Sequence, residues 1–311
     1  MASAASYVVF GEALTDFIQE SAGRWRSVAG GSPWNVARVG ARLGLPTAFA
    51  GAVSKDVFGE ELLRLSREAG LDLRFVQQVE RLPLLAMVVS KHPPQYFFIG
   101  ENSADLHFDP AALPKGWVEA AEVVHFGSLG LVREPLASRL VAVAERVRAA
   151  GRRIAFDPNY RNLMTEAYRP TLRRMAELAD YIKVSDEDLS GLFPGIDPAV
   201  ALEQLRAWSP RASFLFTHGE TGLELITPDR QVTQPAFRVT LADTVGAGDA
   251  SMAGWMFSVI TRPDTTLEAH AAFAAAAAAV ACQHHGAYAP TLDEVTSFLA
   301  ARGRQAASPG G

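Results

Sequence analysis

The segment Asp243-Thr244-Val245-Gly246-Ala247-Gly248-Asp249 sets three nearly side-chain-less residues directly before a carboxylate. It opens the run ASMAGWMFSVI, so the glycines fall at the start of a helix. The first amides of a helix have no carbonyl partner inside it and carry the positive end of its dipole. Small residues let an anion reach them, which makes this turn a candidate cradle for a phosphate or a developing oxyanion. Asp249 stands in the first turn, beside whatever those amides hold. A helix cap would explain Asp249 alone but not Gly-Ala-Gly before it. The turn is not a P-loop, since no Gly-Lys pair occurs in the chain. Nor does it complete G-x-G-x-x-G, because Ser251 takes the last place.

A second glycine-bearing stretch lies near the N-terminus. Asp16 follows the end of an apolar run at Gly11, and Gly30-Gly31 precede a segment carrying Asn35. Asp16 and Asn35 are short polar side chains able to bond several hydroxyls, and paired glycines permit a hinge or a close backbone approach.

Alternating elements must position these groups. Tyr7–Phe10, Thr47–Val53, Val123–Phe126, Arg153–Phe156, Tyr181–Val184 and Phe214–Thr217 read as short buried strands. Asn35–Leu43, the face Phe58/Leu62/Leu65/Ala69, the face Leu136/Leu140/Val143/Val147, and the runs Ala247–Ile260, Leu267–Cys282 and Leu292–Ala301 read as helices. The alanine-rich run Ala271–Val280 fits a helix packed closely on the sheet. Leu84–Ile99, two β-rich runs around KHPP, reads as a hairpin outside this alternation. The order implies an α/β fold with a mostly parallel sheet and helices on both faces, whose ligands sit at the carboxyl ends of the strands.

Bulk properties narrow the function. The chain has 311 residues and a formal net charge of -5, which argues against a nucleic-acid partner. Cys282 is the only cysteine, so no internal disulfide is possible. The opening MASAASYVVFGEALTDF lacks a basic segment, and no uncharged apolar run is long enough to span a bilayer. A cytoplasmic protein without a membrane partner is expected. His218, His284, His285 and Cys282 are too scattered to read as a zinc site.

Taken together, GGSPWNVARVGARLG and DTVGAGDASMAGWM resemble the two signature regions of the ribokinase-like carbohydrate kinases, the PfkB family. FGEALTDF, FDPNYRNL, YIKVSDEDL, FTHGETG and GAYAPTLDEV fit the same pattern in order, most like fructokinases. The resemblance implies a kinase domain over residues 1–303, with lid segments near 15–29 and 82–106 and a flexible tail at 304–311. It implies ATP and Mg²⁺ as cofactors, a monovalent cation such as K⁺ as a further candidate, a sugar as substrate, and a homodimer formed through the lid. Asp249 would be the base, with Gly246, Ala247 and Gly248 supplying the anion hole. Its helix terminus is expected to depress the Asp249 pKa. Asp16, Gly30, Gly31, Asn35 and Arg161 would bind the sugar. Lys183, Thr217, Gly219, Gly222 and Thr244 would bind the nucleotide, and Asp188 with Glu187 would place the water shell of the metal.

Two departures from the family pattern stand out. Asp188 replaces the usual glutamate, and Ile99-Gly100 stand where fructokinase-like members carry an aromatic and a substrate-contacting arginine. Fructose is the expected substrate, with 2-keto-3-deoxygluconate as the alternative within the class. Ribokinase and nucleoside kinases are less close in pattern. A non-catalytic sugar sensor on the same fold would be expected to lose Asp249 or the glycines. A nicotinamide-dependent oxidoreductase would need an early G-x-G-x-x-G, which the chain lacks.

Overall fold

The computed structural model describes residues 4–91 and 94–307. The strands are β1 (Tyr7–Phe10), β2 (Leu14–Ser21), β3 (Arg24–Gly30), β4 (Thr47–Ser54), β5 (Val76–Val79), β6 (Leu85–Lys91), β7 (Pro94–Ile99), β8 (Val123–Gly127), β9 (Arg153–Asp157), β10 (Tyr181–Ser185), β11 (Ser213–Thr217), β12 (Gly222–Ile226) and β13 (Gln231–Pro235). The helices are α1 (Ser32–Arg42), α2 (Val57–Ala69), α3 (Trp117–Ala120), α4 (Leu136–Ala149), α5 (Arg169–Leu178), α6 (Asp186–Leu192), α7 (Pro198–Trp208), α8 (Ala247–Thr261), α9 (Leu267–Ala281) and α10 (Leu292–Ala307).

Nine strands form one sheet in the order β13-β12-β11-β10-β9-β8-β1-β4-β5. The pairings from β11 through to β5 are parallel, and β12 and β13 add antiparallel strands at one edge. The central parallel strands β1, β4 and β8 are buried on both faces, so they read as continuous apolar runs. Successive residues of β1 point to opposite layers. Val8 and Phe10 enter the core beneath α4, α5 and α7, while Tyr7 and Val9 enter the one beneath α1, α8 and α9. The alanine-rich α9 lies in the second core, and Gly254 of α8 meets Ala277 there. Small residues on both helices permit that approach.

A separate four-stranded sheet, order β3-β2-β6-β7, stands outside this body. The hairpin expected over 84–99 is β6 and β7, and the early strands expected near 18–28 are β2 and β3. Part of the expected turn, residues 92–93, lies outside the described residues. Helix α10 runs to Ala307, past the tail boundary expected at 303, and 308–311 lie outside the described residues.

Candidate active site

Gly246 is the N-cap of α8 with φ of 79°, the left-handed region. A Cβ there would also come within 2.8 Å of the Ala287 Cα, so the turn requires glycine twice over. The Ala247 amide donates to the Thr244 carbonyl at 3.2 Å. Helix geometry leaves the amides of Gly248 and Asp249 without a carbonyl partner inside α8.

Asp249 is buried and gripped on both oxygens. Ser32 Oγ donates to Oδ1 at 2.7 Å, and Asn35 Nδ2 donates to Oδ2 at 2.9 Å. Both donors belong to the first turn of α1, so two helix N-termini converge on one carboxylate. The expected downward pKa shift is corrected: burial pushes the Asp249 carboxyl up. The Ser32 and Asn35 hydrogen bonds and the charges of Lys183 and Arg161 only partly oppose this. The helix terminus and its donors favour the anion, but desolvation of a buried carboxylate outweighs them here.

Asp16 projects from β2, and a Cβ on Gly30 would fall 2.2 Å from its Oδ2, so glycine makes room for that carboxylate. Burial raises the Asp16 carboxyl to about 6, with Arg161 opposing and Asp249 adding to the shift. Arg161 is held by its own loop, donating from Nη1 to the Tyr160 carbonyl at 2.7 Å and to Asn159 Oδ1 at 2.8 Å. Its charge acts on Asp16, on Asp249 and on buried Glu12. Asp16, Asn35, Arg161 and Asp249 are thus brought into one cluster.

Lys183, on β10, does not stand open to solvent as a free phosphate ligand. Its Nζ lies 3.3 Å from an Asp157 oxygen and 3.4 Å from Asp188 Oδ2. It also lies 3.2 Å from where a Gly248 Cβ would be, so it backs the anion-facing turn from beneath. Burial pulls the Lys183 pKa down, but Asp157, Asp188 and Asp249 more than offset this, and it stays protonated. Burial raises Asp157 to about 7 against the attraction of Lys183. Fully buried His125, on the neighbouring strand β8, is driven to about 3 by burial and by the Lys183 charge, and is neutral.

Asp188, expected to help place the water shell of the metal, is held by the protein on both oxygens. Its Oδ1 accepts from the Tyr160 amide at 2.8 Å, and its Oδ2 accepts from the Ser185 amide at 2.9 Å and from Lys183. With Ser185 it closes the capping box of α6. A carboxylate so engaged braces β10 and Lys183, while Glu187 is exposed. Thr217 pairs with Ser185 across β11 and β10, and Gly219 (φ 54°) and Gly222 follow on the turn into β12. Thr244, in the turn before α8, is exposed. Ser32, Glu12 and Asp157 were not expected in the site from sequence. Glu12 and Asp157 sit directly at strand ends, which is the signal that marks them.

The mostly parallel sheet, its strand ends gathered on a helix-borne carboxylate, and the small second sheet make up a ribokinase-like fold. The model of the pfkB family of carbohydrate kinases matches residues 4–294. A fructokinase of Klebsiella pneumoniae is 32% identical, covering 79% of this chain and 81% of its own length. The crystal structure of a fructokinase with bound ATP from Xylella fastidiosa superposes with a TM-score of 0.86 at 27% identity, covering 96% of this chain and 98% of that one. An aminoimidazole riboside kinase from Salmonella enterica, complexed with aminoimidazole riboside and an ATP analog, gives a TM-score of 0.82 at 28% identity, covering 94% and 99%. The chain belongs to the pfkB family of carbohydrate kinases and is a sugar kinase.

Proposed function

We propose that this chain transfers the γ-phosphoryl group of MgATP to a hydroxyl of fructose, giving fructose 6-phosphate and ADP. The observation that carries the reading is Asp249: a buried carboxylate fixed by Ser32 and Asn35 beside the first amides of α8. The sugar hydroxyl oxygen forms the new bond to the γ-phosphorus as the bond to ADP breaks, and its proton passes to Asp249. The raised Asp249 pKa makes it a better base than an exposed aspartate. The amides of Gly248 and Asp249 face the charge spread over the phosphoryl oxygens, with Lys183 behind them. Asp16 and Arg161 orient the sugar, and Thr217, Gly219, Gly222 and Thr244 receive the nucleotide.

Among the described residues no group of three His, Cys, Asp or Glu side chains could cage a metal ion. Mg²⁺ therefore arrives on the nucleotide phosphates with its waters, where it neutralises phosphate charge. Fructose is favoured over 2-keto-3-deoxygluconate by the cations at hand. Arg161 already faces Asp16 and Asp249, and Arg133, at the root of the lid, is paired with Asp105. Neither is left to neutralise a substrate carboxylate. Retention of Asp249 and its two donors speaks against a sugar sensor without activity.

A coupled assay with MgATP and fructose, 2-keto-3-deoxygluconate, ribose or adenosine tests the substrate. Fructose should give the highest kcat/KM, and a clear preference for another acceptor would displace it. Asp249→Asn should lower kcat by about 10²–10⁴-fold while sugar affinity changes little. Near-normal turnover in that variant would remove the assigned base.

A further inference from the structure

The loop after β8 reaches three of the four strands of the small sheet. Leu129 packs with Leu14 of β2, with Leu84 and Ala86 at the start of β6, and with Phe98 of β7. These residues form their own apolar cluster, and among the described residues Leu129 is its only member from outside the small sheet and its flanks. One residue on, the Gly130 amide donates to buried Glu12 Oε2 at 2.9 Å, at the point where β1 leads into β2. The site residue Asp16 is four positions beyond Glu12.

Arg133 ties the return end. Its guanidinium donates to Asp105 Oδ2, to the Gly100 carbonyl and, at 3.1 Å, to Ser103 Oγ. Ser103 and Asp105 are almost wholly buried and bonded to each other. A Cβ on Gly100 would meet Leu84 Cδ1 at 2.6 Å, Ser103 Oγ at 2.8 Å and Arg133 Nη2 at 3.3 Å, so glycine at this position makes room for the knot. The loop is itself firm. The Arg133 amide bonds to the Leu129 carbonyl at 3.2 Å, and the Arg133 carbonyl accepts from Ala137 in α4 at 2.9 Å.

We propose that residues 128–133 are a single mount for the small sheet, with Glu12–Gly130, Leu129 and Arg133–Gly100/Asp105 as its three points of attachment, so that β2 and the β6–β7 hairpin move as one body relative to the main body, where Asp249 opens α8. Three attachments of different chemistry converge on six consecutive residues, and each grips a different chain entry or exit. Within the small sheet the β2–β6 and β6–β7 ladders join Asp16, on β2, to Phe98, on β7, so the attachments set where the sheet as a whole sits. A shared mount keeps the face they belong to in one register while the whole sheet tilts. Glu12, Leu129 and Arg133 are in this sense positioning residues. The consequence for the sugar rests on the kinase reading above; the mount itself does not.

The test is hydrogen exchange read by mass spectrometry on the full chain, comparing wild type, the charge-neutral pair Asp105→Asn/Arg133→Gln, Arg133→Lys, and Leu129→Ala. In the pair and in Leu129→Ala, peptides covering 14–21 and 84–91 should both exchange about tenfold or more faster, with those covering β9 and β10 unchanged. Arg133→Lys, which keeps the charge but not the fork, should fall between. Acceleration in only one arm, confined to residues 100–105, or spread equally over the main sheet would overturn the proposal. In the same variants the KM for sugar should rise several-fold with the KM for ATP held. If exchange rises in both arms but the sugar KM does not move, the mount stands and the placement of sugar beneath this sheet fails.

Discussion

At the residue scale the chemistry turns on how a buried acid is kept usable. Asp249 loses solvation, which raises its pKa, and regains part of the loss from Ser32 and Asn35. A base works when deprotonated, so activity should fall on the acid side with a midpoint above the ordinary aspartate value. Removing a donor to the anion must raise that midpoint further, because the charged form loses a partner while burial stays. Ser32→Ala should therefore move the acid limb of kcat/KM upward by about one pH unit, given that a hydrogen bond to a charged group is worth roughly 1.5–3 kcal/mol and one unit about 1.4 kcal/mol. The alkaline limb should not move. A pH–rate profile unchanged on the acid side would mean that Asp249 is not the group being titrated. Ser32 shows where sequence reading ran short: in GGSPWN it looks like a helix-start residue, and only the meeting of α1 with α8, 217 positions apart, aims it at Asp249. Asn35 was legible as functional, but its partner was not, since a side-chain amide serves a sugar or a carboxylate equally well.

At the element scale, the parallel strands β1, β4 and β8–β11 and the helices α1, α2, α4 and α8–α10 were legible because burial on both faces writes continuous apolar runs and helix faces write a 3.6-residue period, whereas the half-exposed β5 and the helices α5 and α7 went unread. β2 and β3 were not legible from pattern alone. Both grade from buried to exposed along their length, so neither alternation nor an apolar run survives. β12 and β13 and the short α6 went unread for a related reason: an edge hairpin and a seven-residue helix carry little periodicity. The capping box that starts α6 uses Asp188, to which the resemblance gives a place near the metal, so an acid read as chemistry is also a helix cap. The glycine turn before α8, by contrast, was plain from sequence because its backbone demands are severe. Gly246→Ala must adopt a left-handed conformation costing about 1–2 kcal/mol and must also push against the Ala287 backbone. Denaturant titration should show at least that loss of stability. kcat should fall more steeply than stability, since the same shift moves the amides of Gly248 and Asp249. Full activity in a stably folded Gly246→Ala would show that the turn does not need its present shape.

At the scale of the whole molecule, the small sheet has two unlike faces. Register places Asp16, Ala86 and Phe98 side by side on the face that bears on the site. The residues one step along, Phe17, Met87 and Phe97, line the opposite face. Phe17 is covered there by Phe58 of α2, but Phe97 and Ile99 remain about half exposed, and Trp25 is exposed to 38%. A twisted sheet with apolar side chains in water and two open edges, β3 and β7, is a surface that a second copy would cover. The net charge of -5 is too small to keep copies apart at physiological salt. A homodimer through this face is accordingly the expected assembly in solution. Sedimentation at micromolar concentration should give twice the chain mass for the wild type. Phe97→Glu, which puts a charge at the centre of the exposed row without touching the site-facing side, should sediment as a monomer with its fold intact. A monomeric wild type, or a Phe97→Glu variant that stays dimeric, would mean that the outer face of the sheet is not where copies meet.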